Sequence, residues 1–177
     1  MVNVRAVPAA TLLVLASLST ASYGESLHVS VLPTFIGADT DRGTDNSGFG
    51  VRAIYGWSSD EHWVWEAQAF YNVLETDKDD FTDFYQSGLG LDLRYNFSSD
   101  YGATPYVLAG LGLTRNDVVP DSNDKTAVFG NAGVGLVFKE FGDTRIKVRT
   151  EFRFLYDTFQ DNYLDWQLGL GFEFPLR

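Results

Sequence analysis

The chain of 177 residues contains no cysteine and only two histidines. Without thiols it can form no disulfide bond, iron–sulfur cluster or thiolate zinc site, and no lipid anchor on cysteine. No motif indicates a cofactor. The fold must therefore be held by strand or helix pairing and by side-chain packing.

Long hydrophobic runs are also missing. After the N-terminal segment, no stretch approaches the roughly 18 uninterrupted apolar residues of a membrane-spanning helix. Yet 45% of the residues are hydrophobic, 15% are aromatic, and glycine occurs 17 times. Any membrane crossing must use strands, and this composition suits an outer-membrane barrel.

The N-terminus has the pattern of a secretory signal peptide. Arg5 supplies a positive charge, residues 9–18 are apolar, and small residues follow at 19–21. The apolar run is shorter than the ~20 residues of an uncleaved anchor, which is the alternative. We predict a removed signal peptide over residues 1–24, cleaved after Ala21 or Gly24, and one domain over residues 25–177.

The segment 163–174 alternates between two kinds of residue. Such a period of two predicts a two-faced β-strand, and the length matches the roughly 9 to 11 residues that cross a bilayer as a tilted strand. One face carries Leu164, Trp166, Leu168, Leu170, Phe172 and Phe174; the other carries Asp165, Gln167, Gly169, Gly171 and Glu173. The period alone does not say which face meets water, so a soluble lipocalin-like barrel stays open as an alternative.

Similar alternation recurs along the chain. We predict strands over residues 27–37, 48–58, 62–74, 84–97, 105–115, 127–139, 145–157 and 163–174. The connections 58–61, 98–104 and 140–144 are short, whereas 38–47, 75–83 and 116–126 are longer and acidic; 158–162 breaks this pattern. An even number of strands with short periplasmic turns and longer outer loops predicts an all-β, eight-stranded, antiparallel, up-and-down transmembrane β-barrel.

Charged residues fall on one face of these strands. Burying that face in an apolar core would be costly, so we expect it to line the barrel interior. The expected interior network comprises Arg52, Glu66, Asp92, Arg94, Lys139, Lys147, Arg149, Glu151, Arg153 and Glu173, with glycines between them. Structural neutralisation is the first interpretation; a gated ion path, in which a cation exchanges carboxylate partners, is the second.

Aromatic residues of the opposite face gather near strand ends. One group contains Trp57, Trp63, Tyr95, Phe97, Phe138 and Phe174, and the other contains Phe35, Phe49, Tyr71, Tyr85, Tyr156 and Trp166. Two aromatic belts, at the two interfaces of a bilayer, are typical of membrane barrels.

The last strand resembles the C-terminal assembly signal of bacterial outer-membrane barrels. The signal is carried by Gln167, Gly169, Phe172 and Phe174. The resemblance implies recognition by the barrel-insertion machinery as the barrel closes. Members usually end on the aromatic residue, whereas here residues 175–177 follow, and Pro175 is expected to end strand pairing.

The mature chain as a whole is similar to the transmembrane domain of OmpA-type small outer-membrane proteins. Residues 105–113 resemble the fifth strand of that family, and residues 149–154 resemble its seventh, with an inward Glu and Arg. The resemblance implies a structural or surface-interaction role in the outer membrane without catalysis. Peptidoglycan binding belongs to a further domain of OmpA and is not carried over.

Two other functional classes remain as alternatives. One is a narrow, weakly conducting ion pore. The other is a lipid A-modifying barrel enzyme, since His28 and Ser30 form a His-x-Ser pair that resembles the deacylase motif. We expect the pair, and also His62, to be polar residues of the periplasmic interface, away from lipid A in the outer leaflet.

The formal net charge of −11 comes largely from the expected outer loops. An acidic surface disfavours nucleic acid as a partner. Asp77, Asp79, Asp80 and Asp83 could bind a divalent cation but lack EF-hand spacing, so solvated loop charge is the preferred interpretation. Expected partners are outer-membrane lipid, lipopolysaccharide and the insertion machinery; no pattern names an extracellular partner.

Overall fold

The computed structural model describes residues 26–40, 47–74, 83–99, 101–119, 125–138, 144–158 and 162–176. The expected signal peptide lies outside these residues. So do Lys139 and the acidic residues Asp77, Asp79 and Asp80, while Asp83 is described by its backbone alone.

Eight strands account for almost all of the described chain. They are β1 (Leu27–Gly37), β2 (Ser47–Ser58), β3 (Trp63–Leu74), β4 (Asp83–Asn96), β5 (Ala103–Val119), β6 (Lys125–Phe138), β7 (Lys147–Asp157) and β8 (Tyr163–Leu176). Each strand pairs antiparallel with its sequence neighbours, and β8 pairs with β1, so that the sheet closes into a barrel. The expected fold class is confirmed.

The register sets the shape of the barrel. A circuit of paired residues that leaves β1 at Leu27 returns to β1 at Gly37, ten residues further along. A stagger of ten residues around eight strands gives a strand tilt of about 40°. A barrel of this size is narrow, and its interior is filled by side chains.

The strand faces follow the alternation of the sequence. Large apolar side chains point outward and form a continuous band, including Leu89, Leu111, Leu170 and Phe172. Charged and amide side chains point inward and are buried. The orientation is the reverse of a soluble lipocalin-like barrel, because here the apolar face is outside.

Aromatic rings collect at both ends of this outer band. At the end that carries the strand termini Leu27 and Leu176, Tyr95 contacts Trp63, His62 and Phe97. At the opposite end, the ring of Phe35 contacts Phe49 and Trp166, and Tyr71 stacks on Tyr85. The sequence predicts that the end with the termini faces the periplasm and the opposite end the cell exterior, and the two ends are named accordingly.

Several strand boundaries differ from the sequence expectation. The β5 strand runs to Val119 and β6 begins at Lys125, so most of the expected loop 116–126 is strand. Polar residues continue the alternation there, since Thr114 and Asn116 point inward beside β4. The β8 strand also continues through Pro175 to Leu176, which pair with His28 and Leu27. Pro175 therefore does not end pairing.

Among the described residues, no helix is long and apolar enough to cross a membrane.

Candidate functional site: the polar interior of the barrel

Glu66, on β3, is the centre of the charged interior. Both terminal nitrogens of Arg149 donate to its carboxylate, at 2.7 and 2.9 Å, and Arg94 forms an ion pair with it at 2.8 Å. All three side chains are buried. A two-point contact between guanidinium and carboxylate fixes geometry as well as charge. These contacts connect β3 with β4 and, across the lumen, with β7.

Glu151, on β7, forms a second centre nearer the middle of the barrel. Arg149 donates to it at 2.6 Å, and Arg153 pairs with it at 2.7 Å. The hydroxyl of Tyr106 donates to the same carboxylate at 3.0 Å and accepts from Nε of Arg149 at 2.9 Å. The inward Gly135, opposite Glu151 in register, leaves the room that the ring of Tyr106 occupies.

Asp92, on β4, binds the other side of Arg153. The guanidinium donates to Asp92 at 2.7 Å, to Gln68 at 3.0 Å and to Asn131 at 2.9 Å. The amides of Gln68 and Asn131 donate in turn to Asp92, at 2.8 and 2.9 Å. Four strands are joined at this level by one set of hydrogen bonds.

Arg52 is bound less completely than the other three buried arginines. It donates to Oε1 of Gln167, and its nearest carboxylate, Glu151, is 3.8 Å away. Its Nε and Nη1 atoms have no hydrogen-bond partner among the described residues.

His28 lies at the expected end of the barrel, but it points into the interior and is not an interfacial residue. Its Nε2 atom lies 3.4 Å from Glu66 and 3.6 Å from Glu173. The alternation of β1 turns the ring inward, where it occupies the space beside Gly56, which bears no side chain. His62 is only partly buried and contacts Tyr95 in the outer aromatic group.

Lys147 is not brought into the network. As the first residue of β7, opposite Glu173, it is half-buried and forms no ion pair with a described residue. It lines a vestibule of about 220 Å³ at the periplasmic mouth, together with His28, Arg94 and Glu173. Arg94 and Glu173 form an ion pair of 3.1 Å at the floor of this vestibule.

Apolar clusters that the sequence analysis did not identify complete the interior. Five buried residues close the extracellular end: Ile36, Leu74, Phe84, Ala127 and Tyr163. A second cluster contains Phe70, Phe129 and Leu155, and a third contains Tyr106, Leu108 and Val137. In the sequence, these residues are recognisable as apolar residues on the same strand faces as the charged residues. Pairing between strands distant in sequence decides where they meet.

The residues of the expected assembly signal divide between the two faces of β8. Gln167 and Gly169 point inward and are buried; Phe172 and Phe174 point outward and are exposed. Among the described residues, no group of three or more histidine, aspartate or glutamate side chains could hold a metal ion.

Comparison with known proteins decides the family. A family model described as "Outer membrane protein beta-barrel domain" matches residues 9–174. The chain belongs to this outer membrane protein beta-barrel family. None of the curated proteins matches the chain significantly.

Solved structures show the same fold at low sequence identity. Neisserial surface protein A is similar with a TM-score of 0.67 and 19% identity, over 85% of this chain and 98% of that chain. Ail of Yersinia pestis, solved in complex with the heparin analogue sucrose octasulfate, gives a TM-score of 0.54, 15% identity and coverage of 85% and 97%. The N-terminal barrel of Pseudomonas aeruginosa OprF gives a TM-score of 0.52 and 17% identity, over 83% of this chain and 97% of that chain. These structures share the barrel fold, which agrees with the family model.

Proposed function

We propose that the protein is a non-catalytic outer-membrane barrel with a structural or surface-interaction role. Lipid and lipopolysaccharide surround its outer band, and the insertion machinery assembles it. The closed interior is the observation that carries this proposal. The apolar cluster of Ile36, Leu74, Phe84, Ala127 and Tyr163 lies above an ion-pair network that joins facing strands. A solute could cross the barrel only if the apolar cluster and the ion-pair network both opened.

The positions of the histidines support a role without catalysis. His28 is buried between Glu66 and Glu173, and His62 lies in the aromatic group of the same periplasmic end. A general base must reach the proton that it removes. Lipid A in the outer leaflet would be on the opposite side of the membrane from both rings.

Planar-bilayer recording tests the proposal against the narrow-pore alternative. The refolded barrel should leave the bilayer at its background conductance over a range of voltages. Reproducible single-channel steps would contradict the closed interior and favour the pore. A Glu66→Gln variant that conducts beside a silent parent protein would attribute closure to the network.

A complementation experiment tests the surface role. A strain lacking the protein would be complemented with the full chain or with a chain shortened within residues 38–47 and 75–83. A surface-interaction role predicts that only the full chain restores the lost phenotype, whereas a structural role predicts restoration by both. Lipid A should have the same mass in all strains, and a changed mass would contradict the non-catalytic role.

A further inference from the structure

The wall formed by β1, β2 and β8 contains buried polar groups without a protein partner. Nε and Nη1 of Arg52, Oγ1 of Thr34 and Nε2 of Gln167 make no hydrogen bond to the described residues. The three side chains are 1%, 6% and 2% exposed, respectively. Unpaired buried donors are costly and rare in folded proteins, so several on one wall need a physical explanation.

The strand register gathers these residues. Thr34 pairs with Gly50 on β2 and with Gly169 on β8. Arg52 and Gln167 each lie two residues from one of these glycines, on the same inward face, and are hydrogen-bonded to each other. We call Thr34, Arg52 and Gln167 the Arg52 patch. Neither glycine places a side chain of its own beside Thr34, and Asn72 and Leu32 approach the backbone of Gly50 and Gly169, respectively.

The positive charge of the patch is paired less closely than that of the other buried arginines. Each of the other three buried arginines has a carboxylate within 2.8 Å: Arg94 and Arg149 pair with Glu66, and Arg153 with Asp92. The carboxylate nearest to Arg52 belongs to Glu151 at 3.8 Å, and Arg149 and Arg153 already bind that group at 2.6 and 2.7 Å.

We propose that the Arg52 patch binds a small monovalent anion, with chloride as its natural ligand. The guanidinium of Arg52, the hydroxyl of Thr34 and the amide of Gln167 would donate to it. Unpaired donors beside a cation whose nearest carboxylate is distant are the groups that bind an anion. Of the buried arginines that the structure describes, only Arg52 lacks a close carboxylate, and the single charge of one guanidinium favours a monovalent halide over sulfate or phosphate. One further unpaired oxygen is near: Oδ1 of Asn72, beside Gly50, suits a water molecule.

Crystallography of the unaltered barrel grown in sodium bromide tests the site directly. Bromide replaces chloride and scatters anomalously. We expect one interior anomalous peak in contact with Arg52 and Thr34. Water alone at these atoms, with bromide confined to the protein surface, would overturn the proposal.

Halide-dependent stability tests it in solution. The unfolding midpoint of the refolded barrel would be compared in sodium bromide and sodium gluconate at equal ionic strength. Binding predicts an upward shift in bromide that saturates. Thr34→Val, which removes one donor at constant volume, should weaken the apparent bromide affinity roughly tenfold.

Thr114→Val is the matched control, since Thr114 is equally buried and its hydroxyl donates to the Ser87 carbonyl at 3.2 Å. This variant should keep the bromide response of the parent protein even though its stability falls. An equal bromide response in the parent and both variants would show that halides act elsewhere, and would overturn the proposal.

Discussion

At the scale of single residues, Glu66 is the group whose loss should cost most. Replacing it by alanine would leave Arg149 and Arg94 buried with too little negative charge around them. Breaking a buried ion pair from one side costs about 3–5 kcal/mol, which is a large part of the stability of a small protein. Urea unfolding of the barrel refolded in lipid vesicles, followed by tryptophan fluorescence, measures this loss.

Glu61→Gln is the control for that experiment. Glu61 is an exposed acidic residue of the connection between β2 and β3, and its neutralisation should change the free energy of unfolding by less than about 0.5 kcal/mol. A Glu66→Ala variant that unfolds at the same urea concentration as Glu61→Gln would contradict the central place of Glu66.

Gly110 and Gly130 give a second pair of single-residue predictions. A Cβ atom on Gly110 would lie 2.5 Å from the carbonyl oxygen of Leu91 and 2.8 Å from Cα of Asp92, whereas on Gly130 its nearest neighbour would be 4.0 Å away. The first contact requires backbone movement, so Gly110→Ala should destabilise by at least ~2 kcal/mol. Gly130→Ala should be neutral or stabilise by up to ~1 kcal/mol, because alanine in a strand loses less entropy than glycine. Unfolding in vesicles separates the two; equal stability would contradict the close approach at Gly110.

At the scale of elements, the turn between β2 and β3 depends on Asp60. The backbone N–H groups of Trp63 and His62 donate to its carboxylate, at 2.9 and 2.7 Å, and these bonds lower the pKa of Asp60. A lowered pKa means that the stabilisation is fully present above the ordinary aspartate pKa of about 3.9 and is lost as the pH falls through the lowered value.

Amide exchange at the turn checks this prediction. Protection of residues 62 and 63 should be constant at neutral pH, decrease at pH values below about 4, and be lost at all pH values in Asp60→Ala. Protection in Asp60→Ala equal to that of the parent would show that the carboxylate does not hold the turn.

The β8 strand allows assembly to be separated from folding. Phe174 is 38% exposed and Leu170 is 60% exposed, both on the outer face. If Phe174 is part of an assembly signal, Phe174→Ala should reduce the amount of barrel inserted in cells severalfold while refolding in detergent remains unchanged. Leu170→Ala, on the same face of the same strand, should affect neither. Equal loss in cells for both variants would indicate a general loss of apolar surface.

The sequence predicts elements better than it predicts contacts. Alternation of apolar and polar residues in 163–174 divides β8 into two faces, since a period of two can be read locally. Which face meets lipid follows from the cost of burying the charged face in an apolar core. The extension of β5 through Asn116 was missed because a polar strand beyond the apolar band has the composition of a loop. The choice of Arg149 as the partner of Glu66 joins strands separated by more than eighty residues, and no local pattern carries that information.

At the scale of the whole molecule, the pairing of the described strands is interrupted at one place. The pairing of β1 with β8 lacks two pairs, at Leu32 and Pro33, although both residues are paired on the β2 side. Proline has no N–H, so the carbonyl of Leu170 opposite it is without its donor. Pro33 and Leu170 are exposed on the outer band, where lipid cannot replace the missing hydrogen bond.

Pro33→Val should therefore stabilise the barrel by completing the seam, that is, the pairing between β1 and β8. The new hydrogen bond satisfies a carbonyl whose unpaired state costs about 1–3 kcal/mol, and losing the rigidity of proline in the unfolded chain costs about 0.4–1 kcal/mol. The first effect is larger, so we expect a net gain of about 1 kcal/mol in vesicles. Val31→Ile, two residues away on the same face with its pairing intact, is the control and should change little.

Exchange of the backbone amides on β8 next to the gap locates the effect. In the parent protein, the amides of Leu170 and Gly171 should exchange faster than those of Gly88 and Leu89, which lie in an uninterrupted stretch of β4. Pro33→Val should slow the first pair and leave the second unchanged. Because each strand of a closed barrel is held from both sides, opening must begin where one side is incomplete. Exchange at residues 170 and 171 as slow as at β4 would show that the seam is as firmly closed as the rest of the barrel.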